Sequence, residues 1–209
     1  MIIANSRQVH EVAALVISGG GVIAFRTDTF YGLGANPLNP LAVGRIRKLK
    51  SREEFKPILL LVSDEHQVDR FIAERSPVFA ACSRRFWPGP LTIVGKAVDE
   101  LPGELTAGSG TIGIRLPDDQ SVRGLVRACG GALTATSANV SGRLSARTAA
   151  EVAAYFSERI DLIVDGGEVT ATLPSTVLDL SKPEPRLLRE GAIVRADLNE
   201  FLGGMGLSL

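Results

Sequence analysis

Four segments of the 209-residue chain gather small hydroxyls, cations and amides: FRTDTFYGLG at 25–34, KLKSREEFKP at 48–57, GTIGIRLP at 110–117 and ATSANVSGRLS at 135–145. Each begins or ends an apolar run that reads as a β-strand. Open α/β sheets hold ligands where loops leave the strand ends, so polar clusters at four such junctions can converge on one crevice. The chemistry on offer is the holding of a polar ligand by cations and neutral hydrogen-bonding groups. Four ordinary solvated turns are the competing interpretation.

More familiar motifs do not account for these segments. A phosphate-binding P-loop needs GxxxxGK followed by Ser or Thr, whereas GPLTIVGKA has the wrong glycine spacing and Ala97 after Lys96. YGLGAN lacks the third glycine of a dinucleotide fingerprint, and AGSGT lacks the spacing of a serine-hydrolase nucleophile elbow. His10 and His66 have polar or charged neighbours and no metal-ligand spacing, so they are expected at the surface. Cys82 and Cys129 are the only cysteines, too few for a disulfide framework or a four-thiolate zinc site; core packing is expected for both.

The elements that must position these segments follow from periodicity and punctuation. Ser6 is placed to cap a helix whose apolar residues Val9, Val12, Ala13, Val16 and Ile17 recur at helical spacing, with Gly19, Gly20 and Gly21 ending it. Residues 22–25 then read as a buried strand. After Tyr31 and the glycines of YGLGANP, the Asn39-Pro40 pair starts a second helix ending near Lys50, and Pro57 opens the apolar strand PILLLV. Short helices are expected at 64–73 and 77–86, a rigid turn at WPGP, and strands at 91–95, 111–116, 132–135, 161–164, 176–180 and 186–188. Further helices are expected at 121–129 and 148–159. Strands interleaved with helices argue for an α/β fold. The later strands follow one another too closely for helical crossovers throughout, so the sheet should be mixed. No internal repeat or linker interrupts residues 1–209, and a single domain is expected.

Lys plus Arg and Asp plus Glu balance at 23 each, which disfavours a polyanion-coating role, and 45% apolar with 22% charged residues matches ordinary globular domains. The apolar stretch between Val12 and Phe25 is interrupted by glycines and lacks the layout of a secretory leader, so a soluble cytoplasmic protein with no membrane association is expected.

Taken in order, TDTFYGLG, the Lys-x-Arg of Lys50 and Arg52 followed by KPILLL, WPGPLT, TIGIRLP, TSANVSG, the DGG at 165–167, PSTVLDL and LLREGAI resemble the YrdC/Sua5 family, from about residue 22 to about residue 193. None of these motifs is specific alone; the ordered set is. The resemblance implies a twisted mixed sheet flanked by helices around a large concave cleft, in the single-domain form. It also implies an L-threonylcarbamoyladenylate synthase, a nucleotidyltransferase that joins L-threonine, bicarbonate and ATP into threonylcarbamoyl-AMP and pyrophosphate for the t6A modification of tRNA. Magnesium is expected with ATP, held by phosphates and water and by no assigned protein ligand. A downstream threonylcarbamoyl transferase is the implied consumer of the product.

On that resemblance, Lys50 and Arg52 are the expected catalytic cations, sitting on the phosphates as charge builds on the leaving pyrophosphate; Lys56 and Arg189 add to the ATP set. Thr111, Ser137, Asn139 and Ser145 are the expected nucleotide contacts, since hydroxyls and amides bond phosphate, ribose or base without adding charge. Asx and Ser/Thr turn bonds are the alternative for them. Arg115, Thr29 and Ser175 are the expected threonine contacts, with Thr27 weaker because neighbouring strand residues face opposite sides. An ion-paired strand-edge residue is the alternative for Arg115. Asp28 reads as a turn carboxylate outside the catalytic set.

The chain departs from the family pattern at Arg26, where Pro is usual, at Asp28 in place of Glu, at Lys56 in place of Asn, and at Leu61, where many members carry His. Two other functions fit the same residues: an RNA-binding module of this fold, able to hold tRNA in its cleft, and a YciO-like paralogue with altered chemistry.

Overall fold

A computed structural model of the chain describes residues 1–50 and 57–209. Among the described residues the strands are β1 (Ile2–Ala4), β2 (Ile23–Arg26), β3 (Tyr31–Gly34), β4 (Leu60–Val62), β5 (Leu91–Lys96), β6 (Thr111–Arg115), β7 (Ala132–Thr134), β8 (Thr136–Ser137), β9 (Leu162–Asp165), β10 (Thr176–Asp179) and β11 (Arg186–Arg189). The helices are α1 (Arg7–Ser18), α2 (Pro40–Leu49), α3 (Pro77–Phe86), α4 (Gly103–Thr106), α5 (Gln120–Ala128), α6 (Ala149–Phe156) and α7 (Arg195–Gly203).

Helix starts obey their caps. The Ser6 hydroxyl accepts from the Val9 N–H, Asn39 Oδ1 from Leu41 and Ala42, Ser76 Oγ from Phe79, and Asp119 Oδ1 from Ser121 and Val122. Each cap satisfies donors that the first helical turn leaves open. At the far end of α1, Gly20 adopts φ 79°, a conformation a side chain would disfavour. The expected helix at 64–73 is a 3₁₀ turn over Glu65–Arg70, and α6 ends in a second one over Ser157–Arg159.

The strands form two mixed sheets, one ordered β1-β9-β2-β3-β8 and the other β11-β10-β5-β6-β4-β7. Within the first, β2 and β9 run parallel while β2 and β3 form an antiparallel pair; within the second, β5 pairs antiparallel with β6 and parallel with β10. The α/β fold class and mixed pairing expected from the sequence are present.

Two cores flank this arrangement. The larger joins Leu60, Val62, Ile93, Ile112, Ile114 and Leu178 to apolar side chains of α2, α3, α6 and α7. The smaller packs Val9, Ala13 and Ile17 of α1 and Val122, Leu125 and Val126 of α5 against Ile23, Phe25, Leu61 and Leu133. Leu61 thus faces away from its neighbours Leu60 and Val62, as strand alternation requires. Cys82 and Cys129 are both buried, His66 is exposed and His10 is half-buried, its Nε2 2.8 Å from Asn5 Oδ1.

YGLG, for which no strand is expected from the sequence, is the fully buried strand β3, hydrogen-bonded on both sides by β2 and β8. Arg26, at the usual Pro position, extends β2 and reaches Asp119 at the start of α5 with a 3.0 Å ion pair. One carboxylate therefore caps the helix and anchors the strand.

Candidate active site

A cavity of about 1130 Å³ is lined by residues of both sheets. Its floor is one face of the six-stranded sheet. Along β6 the alternation is plain: Ile112 and Ile114 enter the larger core, while Thr111, Gly113 and Arg115 face the cavity. The register sets Val94 opposite Gly113 and Val177 beside Thr92, so β5 and β10 continue the same face with Thr92, Val94, Val177 and Asp179. Gly113 keeps this floor low; a Cβ there would lie 3.2 Å from Thr92 Cγ2 and 3.5 Å from Leu59 Cβ.

The opposite wall comes from the β2–β3 turn and the segment after β8. Thr27 builds the turn. Its hydroxyl donates to the Phe30 carbonyl at 2.6 Å and accepts from the Thr29 and Phe30 N–H groups, both at 3.2 Å. The Thr27 and Thr29 hydroxyls lie 3.1 Å apart. Tyr31 then ties the wall to the DGG segment: its hydroxyl donates to Asp165 Oδ1 and the Gly167 carbonyl and accepts from the Gly166 N–H. Burial and the adjacent Asp165 carboxylate push the Tyr31 phenol up to about 12.

The sequence-predicted residues Thr27, Thr29, Lys50, Thr111, Arg115, Ser137, Asn139, Ser145, Ser175 and Arg189 all line this cavity. Arg52 and Lys56 lie outside the described residues. Convergence of the four polar segments is therefore a property of the fold, and they are not four separate solvated turns.

Within the cavity several of these side chains also bond one another, as the turn-bond and ion-pair alternatives anticipate. Lys50, buried at the end of α2, directs its ammonium into the TSAN segment, donating to the Ser137 carbonyl, to the Asn139 carbonyl at 3.0 Å and to Asn139 Oδ1 at 3.1 Å. Asn139 donates in turn to the Val140 and Arg143 carbonyls, and its Oδ1 also accepts from Ser137 Oγ at 2.6 Å. Lys50, Ser137 and Asn139 thus form one network that shapes the wall, an architectural part beyond the ligand contacts expected of them. Ser145 is half-buried on the same wall, and the Thr111 hydroxyl lies 2.9 Å from Ser109 Oγ.

At the other end, Arg189 sets its Nε and Nη2 on the Ser175 carbonyl, and Nη2 also reaches Ser175 Oγ at 3.1 Å. Ser175 Oγ lies 3.0 Å from Thr92 Oγ1. Partial burial, then the nearby Arg115 charge, lower the Arg189 pKa from its ordinary value. Arg115 is 3% exposed and holds Asp28 through a 2.6 Å ion pair from Nη1, while its buried Nε has no hydrogen-bond partner among the described residues. Asp28, read from the sequence as a turn carboxylate, is thus the counter-ion of a cavity cation 87 positions away. Thr92 and Asp28 are the neighbours that sequence reasoning passed over. The strand phase of WPGPLT carried a signal for Thr92, and no local pattern carried one for Asp28. Leu61 pairs in register with Arg115 but is buried in the smaller core.

Comparison with known proteins gives the family and supports the fold. A family model described as Telomere recombination, that of Sua5, YciO and YrdC, matches residues 15–191. The chain belongs to the Sua5/YciO/YrdC family. Among its relatives, a Thiobacillus denitrificans protein named threonylcarbamoyl-AMP synthase is 41% identical over 162 residues, covering 78% of this chain and 86% of the relative. One of the same name from Pyrococcus abyssi is 35% identical over 207 residues, covering 97% of this chain and 61% of the relative. The crystal structure of Pyrococcus abyssi Sua5 complexed with L-threonine superposes with a TM-score of 0.93 at 34% identity, over 97% of this chain and 61% of that one. Escherichia coli YciO superposes with a TM-score of 0.82 at 25% identity, over 92% and 95% of the two chains. The chain thus spans about three fifths of the Pyrococcus abyssi protein.

No helix among the described residues is long and apolar enough to cross a membrane. Nor do the described residues contain a group of three or more His, Cys, Asp or Glu placed to hold a metal ion.

Proposed function

We propose that the chain is an L-threonylcarbamoyladenylate synthase, a nucleotidyltransferase that works in the cytoplasm on ATP, L-threonine and bicarbonate. The observation that carries this reading is the convergence of Arg115, Arg189, Lys50 and the hydroxyls of four distant segments on one cavity, in a chain 41% identical to a protein named for that activity.

Two subsites follow from the chemistry. The corner of Arg115, Arg189, Ser175 and Thr29 takes the amino acid: guanidinium groups suit its carboxylate and hydroxyls suit its side chain. The wall of Ser137, Asn139 and Ser145, with Thr111 on the floor, takes the nucleotide; Lys50 fixes that wall, and Arg52 and Lys56 supply further charge to the phosphates. The neutral threonine amine combines with bicarbonate to give a carbamate and water. A carbamate oxygen then attacks the α-phosphorus, and the bond to pyrophosphate breaks. Since carbamates lose carbon dioxide readily in water, positioning and solvent exclusion contribute more than a dedicated acid or base.

Magnesium accompanies ATP. The described cavity lining, with Asp179 as its acid, does not fit a protein-held magnesium site, and no step here runs through one. The product passes to a separate threonylcarbamoyl transferase for t6A modification of tRNA.

Incubation with ATP, L-threonine and bicarbonate should yield a product of threonylcarbamoyl-AMP mass, with pyrophosphate release that needs all three. The match over 95% of YciO favours, as a second reading, a paralogue of altered chemistry. Nucleotide binding without that product would select it. Strong, salt-dependent tRNA association without turnover would instead select an RNA-binding module.

A further inference from the structure

We propose that Asp28 is the positioning residue of the amino-acid corner: it clamps Arg115 so that the unpartnered side of that guanidinium receives the substrate carboxylate. The inference rests on the reading of this corner as the threonine subsite and adds a residue that the reading does not include.

The turn that carries Asp28 is built independently of it. Thr27 closes residues 27–30 through its hydroxyl, which leaves the Asp28 side chain to point across to the other sheet. There it meets Arg115 Nη1 at 2.6 Å, joining the β2–β3 turn of one sheet to β6 of the other. The two side chains are 18% and 4% exposed, so water screens the pair weakly.

A guanidinium has five donors in a rigid plane, and fixing one edge fixes the direction of the rest. With Nη1 held by Asp28 and Nε enclosed, with no hydrogen-bond partner among the described residues, a carboxylate in the cavity is left the remaining edge of a guanidinium that lines it. The clamp sets the direction of that edge. Arg189 is held separately by Ser175, so the corner presents two oriented cations, of which one is already neutralised. The net single positive charge matches one carboxylate. Without the clamp, Arg115 has other rotamers open to it and its charge is uncompensated.

The test uses L-threonine and ATP as separate probes of binding, by calorimetry, on the full chain. Threonine binding should weaken at least tenfold in Asp28→Ala and in Asp28→Asn, with ATP binding changed less than twofold, and Asp28→Glu should recover threonine binding to within about threefold of the parent, because it restores a carboxylate on the same turn. Asp28→Asn keeps the size and one acceptor oxygen, and serves where Asp28→Ala does not fold. Threonine binding within twofold of the parent in both variants, or tighter, overturns the proposal. So does an equal loss for threonine and ATP, which would mark a merely structural ion pair. If the parent itself binds no threonine, the substrate reading fails at that first measurement, before the role of Asp28 is reached.

Discussion

The floor and the wall of the cavity are made in opposite ways. The floor is a sheet face whose polar residues stand at alternate positions set by backbone pairing, so that Thr92, Thr111 and Arg115 face the cavity while each also touches one neighbouring side chain. On the wall the polar side chains hold the chain's own shape: Thr27 closes its turn, and Lys50, Ser137 and Asn139 bond one another. Substitutions on the floor should therefore register first in binding, and substitutions on the wall first in stability.

Arg115→Ala should break that contrast most severely. It removes a floor cation and strips Asp28 of its partner, an effect on the order of 2–5 kcal/mol when one member of a buried charge pair is lost. Threonine affinity should fall by about two orders of magnitude or more by calorimetry. Thermal unfolding should shift as well, which makes Arg115 the floor residue that also behaves as architecture.

Asn139→Ala is the wall counterpart. It deletes acceptors for Lys50 and Ser137 and donors to two carbonyls. A loss of about 2–3 kcal/mol in denaturant unfolding is expected from groups left unsatisfied within a charged network. A variant with parental stability but impaired ATP binding would move Asn139 from the wall class to the floor class.

Gly113→Ala sharpens the comparison in the other direction. The added methyl meets Thr92 Cγ2 at 3.2 Å and rises from the floor. Ligand affinity should drop by about tenfold, roughly 1.4 kcal/mol, while stability changes by less than about 1 kcal/mol.

A response of a different kind is the alkaline behaviour of Tyr31 and the two buried thiols. The Tyr31 phenol is raised from 10.0 to about 12, and desolvation raises Cys82 from 9.0 to about 11 and Cys129 to about 12. In each case the folded state favours the neutral form. Their stabilisation is complete below the ordinary values and is lost as pH climbs from about 9 toward 12. Denaturant midpoints should be flat from pH 7 to 8 and fall by pH 11. At pH 8 both native thiols should react with a disulfide reagent far more slowly than in the unfolded chain.

Much of the scaffold was legible from residue type. Ser6 and Asn39 cap the helices they were expected to start, because short polar side chains satisfy the open donors of a first turn, and the helix expected at 77–86 is α3, ending before WPGP. YGLG was not legible as a strand, because glycine carries no strand preference of its own. It is held there by β2 and β8 on either side. Ten of the residues named on the family motifs line one cavity, and Arg52 and Lys56 lie outside the described residues. Their spacing was silent on which of them bond one another.

The order of apolar runs, caps and breaks in the chain determined an α/β architecture and the four polar junctions, since those patterns depend on neighbours within a few residues. Only the tertiary structure decided that Asp28 faces Arg115, that Lys50 holds Asn139, and that Leu61 lies beside Arg115 in a core. Those partners are separated by tens of residues, and their meeting is set by strand pairing within a sheet and by packing between elements, long-range matters that local composition does not encode.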